Sequence, residues 1–217
     1  MKPRLCYITD RRGLEPRPIL PRILAAIEAG VDLVQIREND LPTRELLELV
    51  GGAVAGAAGT TVKVVVNDRL DIALAAGAHG VHLGVRSIPP EAARAAVSRL
   101  SLPDPFLVGV SCHSLEQALA AEIAGADYIL LGPIFATPSK LAYGPPLGVE
   151  RLRDVTASVK IPVFALGGIG VEQVKACLAA GAAGIAGIRI FQETEALAAR
   201  VRELRSRVTA EDGGRDQ

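Results

Sequence analysis

Polar side chains stand at the ends of several predicted strands, where a run of apolar residues stops. The second strand ends with Gln35 and Arg37, and because side chains alternate along a strand these two share one face. The guanidinium of Arg37 offers a planar pair of donors that suits a phosphate or a carboxylate. The pair predicts an anion-binding position; the alternative is a salt bridge at the rim between Arg37 and Glu38 or Asp40.

The third strand ends with an amide beside a carboxylate, Asn67 and Asp68. This pair carries the atoms needed to hold a metal ion or an amine of a substrate. Asp68 also stands where the next helix begins, so a helix N-cap explains it equally well. Both interpretations stay open from the residues alone.

The fifth strand ends with Ser111, Cys112 and His113. Ser111 and His113 share one face, and Cys112 is expected to pack under the helices on the other. Imidazole titrates near neutral pH, so His113 is the candidate for moving a proton. The alternative is a histidine that only caps the next helix together with Ser114.

The other two histidines are less suited to catalysis. His82 falls inside the fourth strand, where a hydrogen-bonded role in the core is expected, and His79 is expected at the surface. Histidines this far apart in the chain do not predict a metal cluster.

Glycine-rich turns follow the seventh and eighth strands, as Gly167-Gly168 and as Gly187-Ile188-Arg189. Glycine leaves main-chain N–H groups uncovered, and the ends of the last two strands of a barrel commonly bind phosphate. Arg189 adds a positive charge there. These two turns together predict a phosphorylated ligand.

A repeated Ala-Gly dipeptide shows which elements position these residues. It occurs at Ala29-Gly30, Ala76-Gly77, Ala124-Gly125 and Ala180-Gly181, each time followed by an apolar run. Glycine tolerates the left-handed backbone that ends a helix, and an apolar run without polar alternation indicates a buried parallel strand. Further strands of this kind are predicted between the repeats, at 5–9, 63–67, 107–111 and 162–166.

Eight strands alternating with eight helical stretches predict an α/β fold, a single-domain (β/α)₈ TIM barrel with its chemistry at the carboxyl ends of the strands. The barrel domain is expected over residues 1–208, and residues 209–217 are expected to form a disordered tail. The long connection from Gly132 to Gly148 predicts a mobile cover over the barrel mouth. The helices are predicted near 18–29, 42–58, 70–76, 89–99, 115–124, 149–159, 171–180 and 193–208.

Composition restricts the partners. Lys and Arg together number 24, as do Asp and Glu, and no basic run occurs, so no nucleic acid is expected. No apolar run approaches the ~20 residues of a membrane span. The three cysteines, Cys6, Cys112 and Cys177, lack paired or metal-binding spacing and suit a reducing compartment. We therefore expect a cytoplasmic protein with a small-molecule partner.

The sequence resembles the family of thiamin phosphate synthases and TenI-type thiazole tautomerases. The likeness runs from Tyr7 to Arg189 and includes the segments VQIRE, VVNDRLDIAL, GVHLG, GVSCHSLEQA, GADYILLGPIFATPSK and IPVFALGGI. The resemblance implies a thiazole phosphate as ligand. The synthase joins a pyrimidine methyl diphosphate to that thiazole phosphate with Mg²⁺ and releases pyrophosphate.

The resemblance also implies roles for individual residues. Gln35 and Arg37 would hold the diphosphate, Asn67 would contact it or the pyrimidine, and Asp68 would bind the metal. Further residues would surround the reacting diphosphate: Ser111, Thr137, Ser139 and Lys140. The thiazole phosphate would be held by Gly168, with Gly167 beside it, and by Gly187, Ile188 and Arg189.

Three positions depart from the synthase pattern. Asn39 stands where the pattern has lysine, and Ser87 stands where it has a second metal-binding aspartate. A serine hydroxyl is a poor ligand for Mg²⁺, which prefers carboxylate and water. Arg189 replaces a small hydroxyl residue. The first two losses weaken the half of the site that would hold magnesium and diphosphate.

These losses favour the tautomerase branch, which moves a proton on a thiazole carboxylate phosphate and needs no cofactor. His113 and Ser111 would then be the catalytic residues. The alternative is the synthase with Mg²⁺, because Asn67, Asp68 and the segment from Thr137 to Lys140 keep a synthase-like form. A third hypothesis is a non-catalytic sensor of thiazole or thiamin phosphates. A homo-oligomer is left open.

Overall fold

Eight parallel strands form a closed barrel in the computed structural model, which describes residues 4–100, 102, 105–137 and 145–209. Each strand pairs with its neighbour in chain order, and the eighth pairs with the first. The predicted (β/α)₈ TIM barrel is therefore confirmed. The strands are β1 (Arg4–Ile8), β2 (Leu33–Ile36), β3 (Lys63–Asn67), β4 (Gly80–Leu83), β5 (Leu107–Cys112), β6 (Tyr128–Leu131), β7 (Val163–Leu166) and β8 (Gly184–Gly187).

Helices connect the strands and pack against their outer faces. None of those in the described parts of the chain combines the length and apolar character that a membrane span requires. Short 3₁₀ turns occur at Arg12–Leu14 and Val171–Gln173. The helices are α1 (Ile19–Glu28), α2 (Thr43–Ala57), α3 (Leu70–Ala75), α4 (Pro90–Val97), α5 (Leu115–Ile123), α6 (Gly148–Ser158), α7 (Val174–Ala179), α8 (Arg189–Gln192) and α9 (Leu197–Thr209).

The four Ala-Gly repeats end helices as predicted. Their glycines adopt left-handed backbone, with φ of 86° at Gly30, 67° at Gly77, 86° at Gly125 and 89° at Gly181. At each one the glycine N–H and the next N–H donate back to carbonyls of the last helical turn. These two hydrogen bonds satisfy carbonyl groups that would otherwise be unpaired at the end of the helix. The sequence repeat is therefore one turn geometry used four times.

The last third of the chain departs most from the predicted helices. The stretch predicted over 171–180 begins as a 3₁₀ turn, where Gly170 N donates to Gln173 Oε1 at 3.0 Å. The final helix begins at Leu197 instead of Glu193, and α8 before it was not predicted. Four residues are too few to show a helical period in the sequence. Residues 210–217 lie outside the described chain, so the disordered tail stays a prediction.

Apolar side chains fill two layers, one inside the barrel and one between the strands and the helices. The outer layer is the larger and contains Cys112 and Cys177, as expected for Cys112. In the inner layer Tyr128 and Phe164 are the two largest side chains, with ring centroids 5.7 Å apart. The buried inner residues are Cys6, Ile8, Leu33, Val65, Tyr128, Leu130, Phe164 and Ala186.

The predicted cover is anchored at both ends. Ile134 N donates to Leu166 O at 2.8 Å, and Leu147 N donates to Pro133 O at 2.8 Å. The first bond ties the start of the connection to the end of β7, and the second ties its end back to its own start. Residues 138–144 lie outside the described chain, so a mobile cover stays a prediction.

Gly109 in β5 leaves the space that the ring of Tyr128 occupies. A Cβ atom at Gly109 would lie 2.1 Å from Tyr128 Cζ and 2.4 Å from its hydroxyl oxygen. These distances are far below van der Waals contact, so any side chain at position 109 would displace the ring. Tyr128 thereby reaches across β5 toward β4.

We predict that Gly109→Ala lowers the free energy of unfolding by about 2 kcal/mol or more, at the upper range for overpacking of a core. Gly51→Ala is the matched control, because a Cβ there meets nothing within 4 Å in α2. It should raise stability by up to about 1 kcal/mol through helix propensity. Urea denaturation measures both, and equal midpoints for the two variants would contradict this packing.

Candidate functional site

The carboxyl ends of the strands bring the predicted polar residues together at the barrel mouth. Leu33 and Val65 point into the barrel. Gln35 and Asn67, two residues further along, therefore point the same way at the mouth. Ser111 is likewise on the inner face of β5. Cys112 packs in the outer layer, opposite to Ser111, as predicted. Arg37 and His113 lie beyond the ends of β2 and β5, so the sharing of a face by Gln35 with Arg37 and by Ser111 with His113 stays a prediction.

Hydrogen bonds join the polar side chains of β2 and β3 into a chain. Gln35 Nε2 donates to Asn67 Oδ1 at 3.0 Å. Asn67 Nδ2 in turn donates to Asn39 Oδ1 at 3.0 Å and to Asp68 Oδ2 at 2.8 Å. On the other side, Ser87 Oγ donates to Asp68 Oδ1. Asp68 is therefore the end point of both branches.

The carboxylate of Asp68 fixes the direction of this chain. A carboxylate only accepts hydrogen bonds, so the amide nitrogen of Asn67 must face it. The Asn67 oxygen then faces Gln35 and requires the amide nitrogen of Gln35. The remaining atom, Gln35 Oε1, is buried and has no hydrogen-bond partner among the described residues. Gln35 therefore presents an acceptor, which fits a ligand group that donates.

Asp68 does not cap the following helix. Arg69 is the N-cap residue of α3, and no side-chain cap is made there. Asp68 instead has φ of +61°, a left-handed conformation that aspartate tolerates better than most residues. Its backbone N donates to His82 O at 2.9 Å. The N-cap interpretation is wrong, and the exposed carboxylate faces Asn67 and Ser87.

Arg37 forms no salt bridge with Glu38 or Asp40, so the alternative of a rim salt bridge is wrong. Arg37 is exposed at the rim, and its backbone N donates to Thr9 Oγ1 at 2.9 Å. Glu38 is buried and accepts from Arg11 N at 3.1 Å with both oxygens. Burial raises the pKa of Glu38, which hydrogen bonds from Thr9 and Arg11 partly offset. Sequence reasoning missed Thr9, whose signal is a hydroxyl directly after the buried run of β1.

A cavity of about 250 Å³ lies beside Arg37. Asp40 on its wall is paired with Arg11 and with Arg12, the latter at 2.7 Å. The guanidinium of Arg37 is thus available to a ligand at this wall. The cavity is lined by Asp10, Arg12, Arg37, Glu38, Asn39 and Asp40.

The donor atoms around Asp68 suit Mg²⁺ in kind and are few in number. In the described parts of the chain no three histidine, cysteine or acidic side chains are grouped to hold a metal. One carboxylate stands there with the hydroxyl of Ser87, whereas the amide oxygens of Asn39 and Asn67 accept hydrogen bonds from Asn67 Nδ2 and Gln35 Nε2. Mg²⁺ is commonly bound by one or two carboxylates plus substrate phosphates. These residues therefore fit Mg²⁺ only together with a phosphate ligand.

A buried polar group inside the barrel reaches the mouth through Ser111. His82 Nε2 lies 2.8 Å from Ser111 Oγ, and His82 Nδ1 lies 3.2 Å from the hydroxyl of Tyr128. Burial lowers the pKa of His82 to about 3 and raises that of Tyr128 well above 10. The predicted core role of His82 is confirmed. Tyr128 was missed, although the small Gly109 facing it across β5 and β6 was a signal.

His113 stands exposed at the rim directly after β5. Its Nδ1 donates to the carbonyl of Gly132, which leaves Nε2 as an acceptor. Ser114 caps α5 by accepting from Gln117 N at 3.2 Å, and the His113 ring takes no part in that cap. The backbone N of His113 does contribute to this helix start, by donating to Gln117 Oε1 at 2.7 Å. The capping alternative therefore holds for the backbone of His113 and is wrong for its ring.

His79 departs from its expected surface position. It is half-buried, and its Nδ1 accepts from Val64 N at 3.0 Å. This bond is partly buried between β3 and the start of β4, at the opposite end of the strands from the mouth. The ring therefore supports the sheet.

The glycine turn after β7 is sterically fixed. Gly167 and Gly168 have φ of 95° and 66°, and a Cβ at Gly168 would lie 2.5 Å from Ala136 O. Phe135 N donates to Gly167 O at 3.0 Å. Among the hydrogen bonds of the described loops, none is donated by Gly168 N or Ile188 N. These N–H groups have the form expected of an anion site.

The turn after β8 places the remaining predicted residues. A Cβ at Gly187 would lie 2.8 Å from Ile190 Cγ2, and Ile188 is half-buried against the inner apolar layer. Arg189 is exposed, with its Nε 4.0 Å from Glu193 Oε1. Thr137 is half-buried at the edge of the described chain. Ser139 and Lys140 lie outside the described residues.

The chain is similar in sequence to known proteins over most of its length. The family model described as "Thiamine monophosphate synthase" matches residues 5–191. A curated relative from Geobacter sulfurreducens is 48% identical over 182 residues, which cover 84% of this chain and 83% of the relative. A "Thiamine-phosphate synthase" from Moorella thermoacetica is 42% identical and covers 91% of both chains.

A solved structure extends the likeness to three dimensions. The "Thiamine phosphate pyrophosphorylase" of Pyrococcus furiosus has a TM-score of 0.84 with 36% identity, and the match covers 96% of each chain. A 3-hexulose-6-phosphate synthase with a TM-score of 0.66 and 20% identity shares the fold alone.

We predict that Gly168→Ala weakens binding of inorganic phosphate by about tenfold or more, equivalent to ~1.4 kcal/mol. The added Cβ would push the turn away from Ala136 and misplace its N–H groups. Gly59→Ala is the matched control, because Gly59 has a similar φ of 75° and open space around it. It should show the backbone strain without the binding loss. NMR titration with phosphate measures both, and equal affinities would contradict the site.

Proposed function

This chain belongs to the thiamine monophosphate synthase family, and from that membership we propose that it joins a pyrimidine methyl diphosphate to a thiazole phosphate and releases pyrophosphate. The observation that carries the proposal is the division of the mouth into two anion-binding parts. Arg37 and the chain ending at Asp68 form one part, and the glycine turns after β7 and β8 form the other. Relatives named thiamine-phosphate synthase support the same reaction.

The diphosphate would lie between Arg37 and Asp68. Arg37 can donate two parallel hydrogen bonds to phosphate oxygens, because no described carboxylate occupies its guanidinium. Asp68, with the hydroxyl of Ser87, would hold Mg²⁺ together with the diphosphate. When bound, that ion neutralises charge on the departing pyrophosphate. Ser111 would donate to the same group from the barrel interior.

Gln35 would bind the pyrimidine instead of the diphosphate. Its free atom is the acceptor Oε1, which repels a phosphate oxygen and suits an N–H donor on a ring. Since Gln35 is 2% exposed, leaving this oxygen unpaired is costly, by about 1–3 kcal/mol. A pyrimidine with an N–H group would remove that cost. Asp68 thus sets the direction of the hydrogen bonds that leaves an acceptor on Gln35, and this acceptor selects a substrate ring that carries an N–H group.

The thiazole phosphate would bind across the mouth, at the turns after β7 and β8. Main-chain N–H groups of Gly167, Gly168 and Ile188 would contact its oxygens, and Arg189 would add charge. Coupling then requires the C–O bond to the diphosphate to break and the thiazole nitrogen to bond to the freed carbon. Fixing both phosphates holds the two reacting atoms near each other, which is the main contribution the chain can make.

The thiazole tautomerase, favoured by sequence analysis, is the second candidate. Ser87 supplies a hydroxyl where a second carboxylate would strengthen metal binding. His113, held through Nδ1 by the Gly132 carbonyl, presents Nε2 as a proton acceptor at the mouth. The ring could take a proton from one position of a thiazole carboxylate phosphate and return it at another. This reaction balances without metal or diphosphate.

The coupling reaction is tested by mixing the purified protein with both substrates and measuring thiamin phosphate, with and without Mg²⁺. We expect product only with Mg²⁺. Ser87→Asp with Asn39→Lys should raise the rate at low Mg²⁺, because the pair replaces a hydroxyl ligand with a carboxylate and adds one cation. Ala55→Lys, an exposed change on α2, is the control for the one added cation. Binding of both substrates without product would overturn the proposed reaction.

His113→Asn separates the two enzymatic candidates. Loss of a general acid-base group should slow tautomerisation by about 10²-fold or more. Coupling proceeds by departure of pyrophosphate and should change far less. Both rates are measured on the same preparation, with inorganic phosphate affinity as the check on an intact site. A tautomerisation rate within about threefold of the parent would remove the proton-transfer role.

A further inference from the structure

We propose that Tyr128 and His82 form a positioning relay that fixes the hydroxyl of Ser111 as a hydrogen-bond donor toward an anionic oxygen in the barrel mouth. The anion is the diphosphate of the proposed function, on which this identification of the ligand rests. The relay itself is carried by the geometry of three neighbouring strands. Its members are Tyr128 on β6, His82 on β4 and Ser111 on β5.

The three side chains are arranged from the barrel interior to the mouth. His82, Gly109 and Tyr128 occupy one layer, because Gly109 is in register with both. Without a side chain at Gly109, the Tyr128 ring crosses β5 and its hydroxyl reaches His82 Nδ1 at 3.2 Å. Ser111 is two residues nearer the mouth and meets His82 Nε2 at 2.8 Å.

The hydrogen of the Tyr128 hydroxyl decides which nitrogen of His82 carries a proton. Among the described residues, His82 Nδ1 is the acceptor that this hydroxyl meets. A buried O–H without an acceptor costs about 1–3 kcal/mol. Tyr128 therefore donates to Nδ1, and Nδ1 must carry a lone pair. The ring hydrogen is then on Nε2.

The tautomer of His82 in turn decides how Ser111 can act. Nε2–H donates to Ser111 Oγ, so one lone pair of the hydroxyl is occupied and its hydrogen remains free. His82 is fully buried, whereas Ser111 is half-buried on the inner face at the mouth. The free hydrogen therefore points to the ligand side. In the opposite tautomer Ser111 would donate to Nε2 and offer an anion only lone pairs, which repel it.

This assignment differs from a purely structural role for the two buried residues. Packing of the Tyr128 ring against Phe164 needs no hydroxyl, and Phe at position 128 would keep it. The hydroxyl is needed only if the direction of the hydrogen bonds matters. Tyr128→Phe thus removes the relay and leaves the ring in place.

The first test is the protonation of His82 in the ligand-free protein, read from ¹⁵N chemical shifts of labelled histidine. The signals are assigned with His79→Gln and His113→Asn. We expect the parent to have a proton on Nε2 and a bare Nδ1. In Tyr128→Phe this preference should be lost. A proton on Nδ1 in the parent would overturn the relay.

The second test is binding of inorganic pyrophosphate with Mg²⁺, measured by calorimetry. Ser111→Ala should weaken it by about tenfold, as for one lost hydrogen bond to a charged group. Tyr128→Phe should weaken it by at least about threefold, and the double variant should be no weaker than Ser111→Ala, because residues that act through one contact are not additive. Effects that add, or no effect of Tyr128→Phe, would overturn the relay.

Tyr7→Phe is the matched control. Tyr7 is an equally buried tyrosine whose hydroxyl donates to Gln192 Oε1 at 3.1 Å, and that oxygen also accepts from Asp10 N. Its removal should alter neither the His82 signals nor pyrophosphate affinity. If both tests succeed and the protein forms no thiamin phosphate, the relay stands and the proposed reaction fails.

Discussion

Closure of eight parallel strands into a narrow barrel is the constraint on which the other features depend. Every second side chain of each strand must enter an interior that holds few large groups. Tyr128 and Phe164 fill much of that interior, and Gly109 yields the space that the tyrosine needs. The same alternation that fills the interior carries polar side chains to the mouth one step further along the strands. Side-chain alternation along the strands therefore determines both the packing of the barrel interior and the polar side chains at the mouth.

Two groups whose hydrogen-bonding roles are fixed set the direction of the hydrogen bonds at the barrel mouth. The carboxylate of Asp68 only accepts, which orients Asn67 and leaves an acceptor on Gln35. The hydroxyl of Tyr128 is held in an apolar interior and must donate, which orients His82 and leaves a donor on Ser111. In the proposed function, an N–H donor of a ring would therefore bind at Gln35 and an anionic oxygen at Ser111. Each outcome is decided by a residue that does not itself need to touch the group being recognised.

The two parts of the mouth that we propose to bind anions are built differently. The turns after β7 and β8 use the backbone, so their form depends on positive φ at Gly167 and Gly168. The part around Arg37 and Asp68 uses side chains, among them those of Asn39 and Ser87.

The sequence by itself determined the barrel, the four glycine-closed helix ends and the faces of the strand residues. These features follow from local backbone preferences and from alternation along a strand, so neighbouring residues suffice to predict them. Tertiary structure alone decided that Asp68 caps no helix, that Arg37 pairs with neither Glu38 nor Asp40, and that Tyr128 reaches His82. The partners in those cases come from other strands or loops, and which group a donor meets depends on strand register and on space left by residues such as Gly109. Hydrogen-bond direction was also beyond the sequence, because it is set by the whole connected chain of donors and acceptors and not by any one residue in it.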